Sequence, residues 1–401
     1  MLRSDHSRST VSIVMTVLML LALVFSAVPM VQSVPTAEAE EDIWAVPPTP
    51  AEKITIGVAM RTETQPRWQF DVASMQAMAE QIGNVELLVQ WAADDPVRQA
   101  GQVENLLSQG VDAVILVPVD DRAAIPLVEK AHQVGVPILA YDIAIPDSDV
   151  DYFLTRDNRE VGRLQVQGAL DFAPPNADDP PKYGLIKGDP DNNVAREIAE
   201  VYEEMLRPLA EEGKIEIVAD QWHANWSGEL ALKTVESTLA AQNDDVQAFI
   251  TSNDSMAIGV AQGVTSRGLA GKVYISGLDA DVANDRLIVE GVISRSVWTK
   301  IDLMGQHAVI AAVALAQGQE PPMDGTVNNG FKDVPAALVE VMAVTADNMC
   351  QWITDVAPDG WVTVEDVYVN VPIPDNCVAQ PVGDIWAVPP TPAEKITIGV
   401  A

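Results

Sequence analysis

The sequence has few of the residues that metal and covalent chemistry need. It contains two cysteines and four histidines, and the histidines show no metal-ligand spacing: His6, His132, His223 and His307. It also lacks a nucleophile elbow, a glycine-rich phosphate loop and a cysteine–histidine pairing. We therefore expect no metal site, no cofactor and no catalytic activity.

Basic residues are also scarce. Lysine and arginine number 24 against 58 acidic residues, which gives a net charge of -34. Such a field repels nucleic acid and anionic membrane surfaces. A DNA-binding repressor would also need a helix-turn-helix at the N-terminus, where this chain has an apolar stretch instead. With 48% hydrophobic residues, the 401-residue chain has enough apolar surface for one large or two medium cores.

The N-terminus has the pattern of an export signal. Arg3 and Arg8 precede an uncharged apolar run over 11–28, and Ala37-Glu38-Ala39 offers a small-x-small cleavage site. We interpret 1–39 as a signal peptide and 40–52 as a proline-rich tether, with an uncleaved anchor as the alternative. In an exported chain, Cys350 and Cys377 would form a disulfide, and two unpaired thiols are the alternative.

From residue 54 onwards, apolar runs alternate with helical stretches. The runs lie at 54–60, 85–91, 111–117, 136–141, 183–187, 215–219, 246–251 and 273–276. The helical stretches lie at 72–82, 97–109, 122–134, 194–212, 228–241 and 255–267, and a longer helix is predicted over 301–317. This alternation predicts right-handed βαβ units in two series, hence an α/β fold with two lobes. The tail is predicted to be β-rich at 339–344 and 362–371.

The segment at 42–59 occurs again, without any change, at 384–401. We interpret the second copy as a truncated further module or a sequence-boundary artefact, and infer no function from it.

Polar and aromatic residues follow the ends of the apolar runs: Arg67-Trp68, Asp142, Asp157-Asn158, Asp191 to Asn193, Trp226, Asn253-Asp254, Asp279 and Lys300. In open α/β sheets, the loops at the carboxyl ends of the strands converge on one crevice. Carboxylates and amides pair with hydroxyl groups, and indoles cover the C–H faces of a sugar ring. The pattern therefore predicts a cleft for a neutral polyol.

Several of these residues have a structural alternative. Asp157, Asn158, Asn192 and Asp254 each open a helical stretch and are interpreted as helix caps. Lys300 could pair with a carboxylate as well as with a ligand. The two tryptophans could be core residues.

Over about 53–372 the chain resembles the periplasmic sugar-binding proteins of ABC importers, of the type I periplasmic-binding fold, and most closely their xylose-binding branch. The motifs that carry the resemblance are Arg67-Trp68-Gln69, Leu139-Ala140-Tyr141-Asp142, Asp157-Asn158, Asp191-Asn192-Asn193-Val194-Ala195, Asp220-Gln221-Trp222 with Trp226, Ser252-Asn253-Asp254, Asp279-Ala280-Asp281 and Asn328-Asn329-Gly330 with Lys332-Asp333. Each motif is short, but their order and spacing are jointly specific.

The resemblance implies two Rossmann-like lobes, each a parallel sheet flanked by helices, joined by crossovers that we place near Asp157, Lys300 and Asn328. The N-terminal lobe would then comprise 53–157 and 300–328, and the C-terminal lobe 158–299 and 329–373. It also implies the ligand contacts: indoles at Trp68 and Trp226, and polar groups at Arg67, Asp142, Asp191, Asn193, Asn253, Asp279 and Lys300.

The resemblance further implies a monomer that captures a monosaccharide by hinge closure and delivers it to the membrane subunits of an ABC permease. A ligand-sensing domain of a membrane receptor or kinase is the alternative. Two positions depart from the xylose-binding pattern, which usually has arginine and glutamine where this chain has Ile143 and Leu278. We expect both to face the ligand, so that the site has lost donors and gained apolar surface, and a sugar other than xylose is expected to bind most tightly.

Overall fold

The computed structural model describes residues 43–375 and Cys377. The predicted signal peptide and the second copy of the repeat lie outside these residues. Within the described part of the chain, no helix is long and apolar enough to span a membrane.

The first sheet has seven strands in the order β11-β12-β5-β4-β3-β1-β2. They are β1 (Ile54–Met60), β2 (Val85–Trp91), β3 (Ala113–Leu116), β4 (Ile138–Tyr141), β5 (Tyr152–Arg156), β11 (Gly325–Asn328) and β12 (Asp333–Val339). All neighbours are parallel except β11 and β12. Helices α1 (Pro66–Ile82), α2 (Pro96–Ser108), α3 (Ile125–Gln133) and α9 (Ile301–Ala316) complete what we call the first lobe.

Both faces of this sheet are buried, which explains why its strands are continuous apolar runs. Ile56, Val58 and Met60 of β1 lie in the core cluster on one face, together with residues of α1 and α9. Ala59 lies in the cluster on the other face, with residues of α2 and α3. Helices α1 and α9 pack closely at Gly305, which has no side chain. A Cβ at this position would lie only 2.9 Å from the carbonyl oxygen of Asp71.

Helix α1 begins six residues before the predicted stretch. Pro66 occupies its first turn, where the missing N–H costs nothing and the fixed φ suits a helix. As a result Arg67 and Trp68 lie on a rigid first helical turn at the carboxyl end of β1.

The second sheet repeats the winding of the first, with the order β7-β6-β8-β9 matching β2-β1-β3-β4. Its strands are β6 (Lys182–Lys187), β7 (Glu216–Trp222), β8 (Ala248–Thr251) and β9 (Tyr274–Ile275), and β10 (Ser296–Thr299) pairs with β13 (Val341–Val344) in an antiparallel ribbon. With α4 (Asn158–Phe172), α5 (Asn193–Glu211), α6 (Gly228–Ala241), α7 (Asp254–Ser266) and α8 (Val282–Val289), they form the second lobe. The predicted fold class is confirmed.

Three crossovers join the lobes, and the third is not where the sequence places it. Asp157 lies between β5 and α4, and Lys300 lies between β10 and α9, as predicted. The third crossover is Glu340, between β12 in the first sheet and β13 in the ribbon, because Asn328 ends a strand that stays in the first sheet. Residues 329–339 therefore belong to the first lobe, which corrects the predicted boundary.

The tail differs from the prediction at 362–371. Val364–Val367 form a short helix, α10, instead of a strand. The Thr363 hydroxyl accepts a hydrogen bond from the Asp366 N–H, and the Asp366 carboxylate accepts one from the Thr363 N–H, so this capping box favours a helical turn. The structure joins Cys350 and Cys377 in a disulfide, which settles the alternative left open by the sequence.

The described part of the predicted tether is packed against the first lobe. Trp44 stacks on His307 of α9 with ring centroids 3.7 Å apart. The Thr49 hydroxyl donates to the carbonyl oxygen of Ile82, and the Asn84 side chain donates to that of Pro50. Residues 44–50 are thus part of the folded domain and not a free spacer.

Candidate ligand-binding site

A cavity of about 30 Å³ lies between the two lobes at the carboxyl ends of both sheets. The first lobe contributes Arg61, Gln65, Arg67, Trp68, Asp142 and Arg156, and the second contributes Asn192, Val194, Trp226, Asn253 and Asp279.

Six of the nine residues predicted as ligand contacts line this cavity, and three do not. Asp191 is exposed, and its N–H donates to Asp189. The Asn193 side chain accepts a hydrogen bond from the Ala144 N–H, 2.9 Å away in the other lobe. The ammonium of Lys300 lies 3.0 Å from the carboxylate of Glu340, so this pair links two crossovers at the hinge.

Arg67 is the centre of a buried ionic cluster. Its Nη2 lies 2.6 Å from Oδ1 of Asp142, and its Nε lies 3.3 Å from Oδ2 of Asp71. Its Nη1 lies 3.5 Å from Oδ1 of Asp279, across the cleft. Burial lowers the pKa of Arg67, but the three carboxylates outweigh burial and raise it above its ordinary value. Arg67 therefore stays charged and holds the two lobes together.

Asp142 accepts hydrogen bonds from two arginines on the same oxygen. Arg67 and Arg156 both donate to Oδ1. Burial raises the pKa of Asp142, yet Arg156 and Arg67 more than compensate, so the pKa lies below its ordinary value. The second oxygen, Oδ2, has no hydrogen-bond partner among the described residues. Asp142 is therefore ionised and presents an acceptor for a ligand hydroxyl.

In Arg156 and Asp279, burial outweighs the neighbouring charges, so the pKa of each group shifts in the direction that favours its neutral form. Burial lowers the pKa of Arg156, and its Nε is buried without a partner in the described structure. Burial raises the pKa of Asp279 above its ordinary value. Both groups would gain from hydrogen bonds with a bound hydroxyl, because unpaired buried polar groups cost about 1–3 kcal/mol.

The two asparagines of the cavity lining are also helix caps. Asn192 accepts a hydrogen bond from the Val194 N–H, and Asn253 accepts one from the Met256 N–H, each through Oδ1. Their NH₂ groups have no partner in the described structure and are available to a ligand. The sequence assigned the cap at this second helix to Asp254, but Asp254 is its first residue, and the side chain accepts from Ser296 and from the Asp281 N–H.

Two indoles enter the cavity from opposite lobes. Trp68 donates from Nε1 to Gln65, and the Arg67 guanidinium lies 4.4 Å from its ring centroid. Trp226 lies on a short turn, Ala224–Trp226, in which Asn225 and Trp226 both have positive φ. Such backbone costs about 1–3 kcal/mol for a non-glycine residue and is concentrated at functional sites.

The sequence did not identify four residues of the cavity lining, and it placed two core residues at the ligand. Arg61 and Arg156 lie at the ends of β1 and β5, so the rule that identified the other residues could have found them; Gln65 and Val194 carried no signal. Ile143 and Leu278 are each 2% exposed and belong to the core, not to the cavity lining. The expectation that they face the ligand is wrong, since their side chains are used in packing.

A second group of carboxylates lies buried behind the cavity, and it makes stability depend on pH. Burial raises the pKa of Asp281 to about 7 and that of Asp285 well above its ordinary value. Both carboxylate oxygens of Asp285 lack a partner in the described structure. Because the folded state binds these protons more tightly than the unfolded state, stability present below about pH 4 is lost as pH rises towards 7 and above.

We expect Asp285→Asn to remove part of this pH dependence. The amide needs no proton, so at pH 7.5 the variant should unfold with a free energy at least about 1 kcal/mol higher than the wild type, and the difference should shrink at pH 4.5. Denaturant unfolding at both pH values measures this, with the exposed Asp359→Asn as a control. An equal effect at both pH values would show that Asp285 is not protonated in the fold.

Comparison with known proteins supports a solute-binding role. Residues 56–320 match the family described as "Periplasmic binding protein domain". The chain is 37% identical to the D-xylose-binding periplasmic protein of Escherichia coli over 299 residues, covering 75% of this chain and 89% of that one. It is 33% identical to the protein of the same name from Haemophilus influenzae, covering 79% and 93%.

Among solved structures, a carbohydrate transporter solute-binding protein from Chloroflexus aurantiacus in complex with D-glucose superposes with a TM-score of 0.72 at 28% identity, covering 79% of this chain and 98% of that one. An ABC transporter solute-binding protein from Clostridium phytofermentans with bound β-D-glucose gives 0.72 at 26% identity, covering 78% and 99%.

Proposed function

The chain belongs to the sugar-binding periplasmic proteins of ABC importers, which are solute-binding proteins and not enzymes, and we propose that its cavity takes a neutral aldopyranose between Trp68 and Trp226. The observation that carries the proposal is the cavity lining itself, which combines two indoles from opposite lobes with carboxylates and amides. Indoles suit the C–H faces of a pyranose ring, and the polar groups suit its hydroxyls.

The charges around the cavity favour a neutral ligand over an acidic one. The three guanidinium groups in the lining are already matched by four carboxylates: Asp71, Asp94, Asp142 and Asp279. No cation is therefore left over for the carboxylate of a sugar acid. Bringing a further negative charge into this buried cluster would cost desolvation without a matching ion pair.

The relatives suggest xylose and glucose as the first candidates. The curated relatives are named for D-xylose, and the two solved structures contain glucose. Since Ile143 and Leu278 do not line the cavity, they give no reason to exclude xylose. We propose that either sugar closes the lobes because it contacts both only in the closed form.

Family membership gives the partner and the compartment in outline. Sugar-binding proteins of this family lie outside the cytoplasm and work with a permease. We propose that residues 1–39 direct export and that the receptor acts as a monomer that presents its closed form to the permease membrane subunits.

Calorimetric titration with a sugar panel tests the proposal. We expect one-to-one binding of an aldopyranose such as D-xylose or D-glucose. D-glucuronate should bind at least about tenfold more weakly than D-glucose, a difference of about 1.4 kcal/mol. Folded protein that binds no monosaccharide would contradict the proposed function, and tighter binding of glucuronate would contradict the neutral ligand.

A further inference from the structure

The benzene ring of Trp226 lies directly against the backbone of Gly188. A Cβ built at Gly188 would lie 2.5 Å from Cζ3 and 2.6 Å from Cε3 of this indole. Real Cβ atoms do not approach other atoms so closely. Gly188 follows β6, so the edge of the second sheet forms a flat seat on which the indole lies.

The turn that carries Trp226 adopts a backbone that its own residues do not favour. Asn225 has φ of 55° and Trp226 has φ of 52°. Left-handed backbone is tolerated by asparagine but is rare for a bulky residue such as tryptophan. Neighbouring groups must therefore hold this turn in place.

Asp189 supplies the main restraint. Its Oδ2 accepts a hydrogen bond of 2.6 Å from the Asn225 N–H. Its Oδ1 accepts one of 2.9 Å from the Asp191 N–H. The next residue after Asp191 is the cavity residue Asn192. One carboxylate thus ties together the two loops of the second lobe that bear Asn192 and Trp226.

His223 also holds the turn that carries Trp226 in place. Its backbone N–H donates to the carbonyl oxygens of Lys187 and Gly188, and its own carbonyl accepts from the Trp226 N–H at 3.1 Å. The ring nitrogens lie 2.9 Å from the carbonyl oxygen of Lys187 and from the Thr234 hydroxyl. The imidazole is buried, which lowers its pKa and keeps it neutral.

We propose that Gly188 and Asp189 are positioning residues that fix the Trp226 indole in the orientation needed to stack on the ligand ring. This inference rests on the proposed function, because it requires that Trp226 contacts a sugar. Neither residue is part of the cavity lining. Gly188 sets how deep the indole lies, and Asp189 holds the strained turn that presents it.

Gly188→Ala tests the seat, with Gly184→Ala as a matched control. A Cβ at Gly184, within β6, would lie 2.5 Å from Cδ1 of Phe249, which is a core residue that does not line the cavity. Both variants should lower the Tm of the sugar-free protein. Only Gly188→Ala should also weaken sugar binding, by about 30-fold, as expected when a stacking anchor is displaced.

A double-mutant cycle separates positioning from general damage. Trp226→Phe has a smaller ring, so Gly188→Ala should change affinity much less in the Trp226→Phe background than in the wild type. Asp189→Asn provides a second variant if Gly188→Ala does not fold. Asn cannot accept both hydrogen bonds, so affinity should fall about tenfold with little change in the Tm of the sugar-free protein.

The readouts are calorimetric affinity and the change in tryptophan fluorescence on adding the panel sugar that the wild type binds. If Gly188→Ala and Asp189→Asn both bind with wild-type affinity while Trp226→Ala does not, the positioning role is overturned and the proposed function stands. If Trp226→Ala itself binds normally, the stacking contact fails and the positioning role fails with it.

Discussion

Asp142→Ala is expected to destabilise the protein even without a ligand, by about 3–5 kcal/mol in the free energy of unfolding. The sequence alone suggests a ligand contact whose loss leaves the fold intact. The structure overturns that view, because Asp142 neutralises Arg67 and Arg156, which are both 3% exposed. Removing the carboxylate leaves two buried guanidinium groups close together. Denaturant unfolding of the sugar-free protein measures the loss.

Asp149→Ala is the matched control, since Asp149 pairs with Lys332 at 2.6 Å but its side chain is 56% exposed. Its loss should cost about 1 kcal/mol or less. The folded-state pKa of Asp142 lies below its ordinary value, so its contribution is present above about pH 4 and is lost as pH falls. Equal stability losses in the two variants would show that Asp142 is a ligand contact without a structural role.

Trp226→Ala is expected to weaken sugar binding by about 2–4 kcal/mol, the loss typical of a buried aromatic anchor. The indole lies in the cavity lining and is 7% exposed. Calorimetry with the panel sugar that the wild type binds measures the effect.

Trp222→Ala serves as the control for Trp226, because this neighbouring indole is 39% exposed and does not line the cavity. Its sugar affinity should match that of the wild type. Wild-type affinity in Trp226→Ala would remove the stacking contact from the proposed function, whatever the control does.

The sequence predicts the alternation of strands and helices in the two lobes better than it predicts where the chain passes between them. Asn328-Asn329-Gly330 has the composition of a boundary, but it forms a hairpin turn in which Asn329 accepts from the N–H groups of Phe331 and Lys332. The true crossover at Glu340 carries no turn signal, because the chain continues almost extended from β12 into β13.

The site shows the same limit at the level of single side chains. The rule that ligand groups follow strand ends places Asp142, Asn253 and Asp279 correctly in the cavity lining. It cannot say which of the three consecutive residues Asp191-Asn192-Asn193 faces the cavity, because neighbouring residues in a loop point their side chains in different directions. Arg156 is the last residue of its strand, so the same rule would have included it if it had counted the final strand residue.

Some of the contacts between the lobes do not involve the cavity. Arg196 pairs with the buried Asp121 across the cleft, and Asn193 bonds to the backbone of Ala144. Such contacts change the balance between open and closed protein before any sugar arrives, and affinity scales with the fraction that is competent to close. Substitutions at these positions should therefore shift the affinity for every sugar by the same factor. Overall affinity and sugar specificity can then vary independently in this receptor.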